Sequence, residues 1–218
     1  MGKVREISGK ADAYFFAPIV VMSSDMRQVV VIAGPTGSGE TTITNEIVKR
    51  FPGRVQRLVT TTTRVPRAEE REGVDYFFTT EEKFMRLKKE GGILESTYIP
   101  NRNTYYGTYA SDLRDKLNSG KIVIVNPDIV GAKYYRKNFN AVTIFIVPES
   151  LDAIERRLRQ RDPESIDADI AKRRANAEAE MENEKPFYDY IVVNADGRLE
   201  VAVDEVVAIL KHEGYNLN

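Results

Sequence analysis

Short apolar runs alternate along this chain with segments whose apolar residues recur at helical spacing. Residues 28–33, 121–125, 141–147 and 190–193 are rich in Val and Ile with little polar alternation, which predicts strands buried on both faces. Residues 54–59, 74–78 and 93–98 are further strand candidates, the last two close enough in the chain to form a small mixed sheet. Residues 41–51 place Ile43, Ile47 and Val48 at helical spacing, and residues 111–118 place Leu113 and Leu117 together. Helical segments at 129–138, 151–161, 170–185 and 199–211 complete the series. The punctuation agrees: Ser150 can cap a helix starting at 151, and Thr79 and Glu82 have capping-box spacing ahead of Phe84, Met85 and Leu87. Gly91, Gly92 and Gly120 stand where helices should stop. Such alternation predicts an α/β fold, a parallel central sheet covered on both faces in three layers.

Composition narrows the partners. The 218 residues fit one domain, placed at 27–214, with room for a small lid. The 32 basic and 33 acidic residues give a formal net charge of −1, which supplies no global drive toward nucleic acid or an anionic membrane. There is no cysteine, which suits a reducing compartment and predicts a cytoplasmic protein. A single histidine, His212, argues against a zinc site. No run approaches the ~20 apolar residues of a membrane span. Residues 1–26 weakly imitate a secretory signal, but Asp12 and Pro18 interrupt the apolar part and no small-x-small cleavage site follows. They read as a poorly ordered extension ahead of the first strand.

The strongest chemical signal lies at residues 34–42, Gly-Pro-Thr-Gly-Ser-Gly-Glu-Thr-Thr, between a predicted strand and a predicted helix. Gly34, Gly37 and Gly39 allow a sharp turn that aims backbone N–H groups inward, and the helix N-terminus adds partial positive charge. Gly34, Thr36, Gly37, Ser38, Gly39, Glu40, Thr41 and Thr42 form a candidate phosphate cradle, a P-loop, with the Thr41 hydroxyl placed to reach a magnesium ion. One side chain departs from the pattern: Glu40 occupies the place of the lysine that would touch the transferred phosphate. The reversal is two charge units. Each is worth about 4 kcal/mol at ~4 Å and an effective dielectric near 20, before screening and reorientation reduce it.

A second constellation is Thr60-Thr-Thr-Thr-Arg64-Val-Pro-Arg67-Ala-Glu-Glu70, followed by Gly73-Val-Asp-Tyr76. Two arginines around a proline turn offer forked donors suited to a phosphate. This run resembles the signature of guanylate kinases, and the likeness extends over about residues 28–211. Tyr105-Tyr-Gly-Thr108, Asn126-Pro-Asp128-Ile-Val-Gly131, Arg157-Leu-Arg-Gln-Arg161, Lys172-Arg173 and Asp189-Tyr-Ile-Val-Val-Asn194 resemble further family steps in the same order. The resemblance implies a P-loop nucleoside monophosphate kinase with ATP and Mg2+ on one side and GMP on the other. It implies an acceptor region at about 60–110 and a helical lid at about 157–175. Arg64, Arg67, Tyr76 and Tyr106 would hold the acceptor phosphate, with Glu70 orienting the arginines. Glu95 and Asp128 would accept hydrogen bonds from purine N–H groups, with Thr60 and Thr108 near its carbonyl. That assignment suits guanine, which presents adjacent N–H donors to a carboxylate that has none. Arg157, Arg161 and Arg173 would come down on the phosphates, acting with Arg64 as the catalytic cations. Asn194 would lie on the donor side.

Two departures accompany Glu40. Asn126 stands where the family has an aspartate, and the chain between Glu95 and Tyr106 runs about two residues long. The losses fall on the donor and metal side, while the acceptor set is nearly complete. The resemblance therefore implies a phosphotransferase making ADP and GDP, acting as monomer or homodimer and impaired by Glu40 and Asn126. Its alternative is an inactive module that binds GMP or a phosphorylated partner. A related kinase with a different acceptor is a third possibility, resting on the lengthened loop after Glu95.

Overall fold

The computed structural model describes residues 27–67 and 69–218; the expected N-terminal extension lies outside them. Nine strands and seven helices follow one another as β1 (Val29–Ala33), α1 (Glu40–Arg50), β2 (Val55–Arg57), β3 (Thr61–Thr62), β4 (Phe77–Phe78), α2 (Glu81–Lys89), β5 (Ile93–Ile99), β6 (Thr104–Tyr109), α3 (Ala110–Asn118), β7 (Ile122–Val125), α4 (Ile129–Phe139), β8 (Val142–Pro148), α5 (Leu151–Arg161), α6 (Asp167–Asn183), β9 (Tyr190–Asn194) and α7 (Leu199–His212) among the described residues. The central sheet is wholly parallel, in the order β2-β7-β1-β8-β9. All five residues of β1 are buried, and they divide between two cores. Val30 and Ile32 pack with Ile43 and Ile47 of α1 and Val203, Val206 and Leu210 of α7. Val29, Val31 and Ala33 pack on the other face with Leu113 of α3 and Ala132 and Tyr135 of α4. Period-2 alternation thus feeds both sides of the sheet, which is why the strand sequence lacks a polar stripe.

A second sheet runs β4-β3-β6-β5, with β3 and β4 parallel and the other pairs antiparallel. Strands 74–78 and 93–98 do belong to it, as expected, but they do not pair with one another. The two strands between them, β3 and β6, lie inside segments the sequence marked as binding motifs. The expected strand at 74–78 shortens to Phe77–Phe78. Glycine at 73, with φ of 71°, turns the chain just before it. The expected capping box moves by one residue: Thr80 caps α2, its hydroxyl accepting from the Lys83 N–H, and Glu82 lies in the first turn. Ser150 caps α5 as expected, accepting from Ala153 N–H.

Candidate active site

The expected donor side lies where β1 ends and α1 begins. Gly37 and Gly39 have φ of 84° and 94°, and a Cβ at Gly39 would lie 2.3 Å from the Asn194 amide nitrogen. That close approach lets buried Asn194 donate to the Ser38 carbonyl at 2.7 Å, tying β9 to the loop. Glu40, first residue of α1, is half-buried, and its carboxylate accepts from the Ser38 hydroxyl at 2.7 Å. Burial pushes its pKa up; the Ser38 bond, its own backbone N–H, Arg161 and Arg57 work against that rise. The side chain is folded back onto the loop. Thr36 and Thr41 are half-buried beside it. Thr42 is exposed on the outer side and helps line an open cavity of about 250 Å3 with Gly39, Arg157, Asn194 and Leu199.

Asn126 follows β7. Its amide nitrogen donates to the Ile32 carbonyl at 2.8 Å and the Thr44 hydroxyl at 3.0 Å. A carboxylate could not donate to the Ile32 carbonyl, so the asparagine fastens β7 to β1 and, through the Thr44 hydroxyl, to α1. Its buried Oδ1 has no partner among the described residues. No group of three or more His, Cys, Asp or Glu among the described residues is arranged for a metal. Magnesium is commonly held through one or two protein oxygens together with substrate phosphates. The Thr41 hydroxyl and the free Asn126 Oδ1 fit that oxygen-only requirement.

The residues expected on the acceptor side lie on and beside the mixed sheet. Arg64, just after β3, donates through Nη2 to Glu70 at 2.7 Å and through Nε to the Tyr106 hydroxyl at 3.3 Å. Its guanidinium lies 5.5 Å from the Tyr76 ring centre, and the rings of Tyr76 and Tyr106 are 5.9 Å apart. Glu70 also accepts from the Arg67 backbone at 2.8 Å, with the exposed Arg67 guanidinium 3.9 Å away. Burial opposes ionisation of Glu70, but the bonds from Arg64 and Arg67 outweigh it and hold the carboxyl below its usual range.

Glu95, on β5, is set by a relay: Tyr135 donates to the Thr108 hydroxyl at 2.8 Å, and Thr108 donates to Glu95 at 2.8 Å. Burial pushes Glu95 up to about 7; the Thr108 bond lowers it and the charge of Asp128 raises it further. Asp128 caps α4, one oxygen accepting from the N–H groups of Val130 and Gly131, both at 3.0 Å. A Cβ on Gly131 would stand 2.6 Å from Pro127 Cβ and 3.3 Å from Glu95, so glycine keeps the wall of this pocket open. Thr108 is fully buried with its hydroxyl already engaged, which makes it a support for Glu95. Thr60 is half-buried, its carbonyl accepting from Phe77 N–H at 2.9 Å.

The three lid arginines part company. Arg157 donates to the carbonyls of Gly37, Ser38 and Asn194 at 3.0, 3.2 and 2.8 Å, and to Asp196 at 2.7 Å. It clamps the loop to β9 from the body of α5. Arg161 is exposed at the end of α5, 3.8 Å from Asp162. Arg173 of α6 reaches the same Asp162 at 2.9 Å and Asp169 at 2.8 Å. Three residues escaped the sequence reading. Arg57 ends β2, and its charge acts on both Glu40 and Tyr76. Glu180 and Glu184 of the α6 end feel Asp128, and burial pushes Glu180 up to about 7. Their four-residue spacing was the available signal; for Arg57 it was a cation closing a strand immediately before the Thr-rich run.

Comparisons with known proteins identify the family. A family profile described as guanylate kinase matches residues 26–213. The chain is 38% identical over 187 residues to a guanylate kinase of Thermotoga maritima, covering 85% of this chain and 87% of that protein. It is 36% identical over 185 residues to one from Rhodopirellula baltica, covering 84% and 87%. A crystal structure of guanylate kinase from Anaplasma phagocytophilum superposes with a TM-score of 0.65 at 26% identity, covering 86% of this chain and 87% of that one. The chain belongs to the guanylate kinase family.

Proposed function

We propose that this protein transfers a phosphoryl group from ATP to GMP, giving ADP and GDP. The observation that carries the reading is the pair of pre-set acceptor groups on one mixed sheet. Arg64 is oriented by Glu70 and Tyr106, and Glu95 is oriented by Thr108 and Tyr135. Bound magnesium–ATP supplies the transferable phosphoryl group. Backbone N–H groups of the 34–42 loop and the α1 N-terminus bind and orient phosphate oxygens. Arg64 and Arg67 hold the acceptor monophosphate with forked donors, and Tyr76 and Tyr106 frame it. Glu95 and Asp128 select guanine by accepting from its adjacent N–H groups. Phosphoryl transfer requires positioning and charge neutralisation with no covalent protein intermediate, so converging arginines and a rigid loop suffice. Thr41 and Asn126 are the residues suited to hold the magnesium ion. The reading also supports an enzyme slowed by Glu40. A binding-only module is the second reading, and the half-buried carboxylate at residue 40 is what favours it.

Steady-state ADP release with magnesium, ATP and each of GMP, dGMP and AMP tests the proposal. GMP-dependent release well above the ATP-only rate, with AMP inert, is expected. Tight GMP binding without GMP-dependent ADP release would instead establish the binding module.

A further inference from the structure

We propose that Arg57, contributed by β2, supplies the phosphate-facing positive charge that Glu40 removes from the loop, and so acts as a catalytic residue. The inference rests on the phosphotransferase reading. Arg57 is the last residue of β2, its Cα in register with Ile124 of β7, which in turn pairs with β1. It therefore stands on the edge of the sheet that carries the loop, two strand spacings, about 10 Å, to the side. Its Nε is buried without a hydrogen-bond partner among the described residues. Its Nη2 reaches the Asp75 carbonyl only at 3.5 Å, the outer limit of a hydrogen bond.

The other arginines expected in the cleft each have a carboxylate partner, Arg67 and Arg161 only at 3.9 and 3.8 Å, and exposed Arg161 also acts on Glu40. Arg64 is paired with Glu70, Arg157 with Asp196, Arg161 with Asp162, and Arg173 with Asp162 and Asp169. Among the described residues no carboxylate lies within ion-pair distance of Arg57. A half-buried guanidinium with idle donors is unfavourable unless an anion arrives to accept from it. Its position supplies one. Asp75 precedes Tyr76 of the acceptor pocket, and the charge of Arg57 is felt both there and at Glu40, between the two halves of the site.

The charges close in the same sense. Lysine in the loop and aspartate at position 126, the pair the family resemblance implies, sum to zero. In this chain Glu40 and Arg57 carry opposite charges and Asn126 none, with the cation on β2, two strands from the one that carries the loop. In the transfer step an oxygen of the acceptor monophosphate forms a bond to the donor's terminal phosphorus. The bond from that phosphorus to the bridging oxygen breaks, and its electron pair leaves with the diphosphate. Nothing is oxidised or reduced. Arg57 donates N–H groups to the oxygens of the group in transit, where charge is concentrated.

The test is a cycle of four proteins: the natural chain, Arg57→Gln, Glu40→Lys and the double variant. GDP formation, GMP KM and melting temperature are measured for each. Arg57→Gln is expected to lower kcat about 100-fold in the natural background, with melting temperature and GMP KM little changed. With Glu40→Lys present, the same substitution should cost about tenfold less, because the loop then carries its own cation. Arg57→Lys, which keeps the charge, should retain most of the activity and serves as the working variant if glutamine impairs folding. A natural protein that turns over while Arg57→Gln matches it would overturn this inference and leave the phosphotransferase reading standing. Equal losses in both backgrounds would also overturn it, by showing a general structural role. A natural protein with no turnover beside an active Glu40→Lys variant would overturn both.

Discussion

On the proposed reading Glu95 must be ionised to accept two purine N–H groups, yet burial holds its pKa up near 7. At about pH 6 most of the population is protonated, and at about pH 8 most is ionised. GMP affinity should therefore rise with pH across that interval. Glu95→Gln should weaken binding about 10- to 100-fold and remove this part of the pH dependence, leaving only the ionisation of GMP itself. Calorimetric titrations of both proteins across the interval check this, and parallel pH profiles would contradict it. Gly131 offers a second test beside the same carboxylate. Gly131→Ala should destabilise the fold by about 1–3 kcal/mol, because its new methyl group meets Pro127 at 2.6 Å. Denaturant unfolding measures that loss. Both residues were legible only through the family resemblance, Gly131 by its distance from Asp128. The relay from Tyr135 through Thr108 was not, because an aromatic on an amphipathic helix reads as core until its hydroxyl is placed.

At the scale of elements, α5 holds the glycine-rich loop against β9. Arg157 of α5 ties three carbonyls of the loop and β9 together, so Arg157→Ala should loosen the loop and raise the KM for ATP more than that for GMP. Charged hydrogen bonds of this kind contribute about 1.5–3 kcal/mol, less here for the part-exposed ion pair with Asp196. A larger effect on GMP than on ATP would count against the clamp. On α6, Glu180 has a folded-state pKa of about 7, above its ordinary value of 4.5. The folded state thus holds more protons than the unfolded state between those values, and stability falls as pH rises through that window. Glu180→Gln should relieve the loss, stabilising the protein by about 1 kcal/mol at pH ~8 and by nothing below pH ~4, since partial exposure screens the charge. Thermal melts at the two pH values decide it. The parallel strands and α5 were legible to within a residue or two, because burial on both faces and a serine cap leave local marks. The strands β3 and β6 were hidden, since Thr and Tyr there serve pairing and recognition at once.

For the molecule as a whole, the residues proposed for the acceptor lie on and beside the mixed sheet, and the glycine-rich loop proposed for the donor lies at the end of β1. The doubt at residue 40 concerns how these two halves share positive charge. The sequence showed an isolated charge reversal. The structure shows Glu40 folded against Ser38, with Arg57 and Arg161 acting on it from outside the loop. The sequence marked Arg57 only as a cation closing a strand, because its relation to Glu40 depends on the strand order β2-β7-β1. The most direct test of phosphoryl transfer by this chain is the rate of GDP formation from magnesium–ATP and GMP by the natural protein, measured beside Glu40→Lys. Turnover within about tenfold of the lysine variant, a difference of about 1.4 kcal/mol in barrier, is the expected result. GDP formed by the lysine variant alone would contradict it.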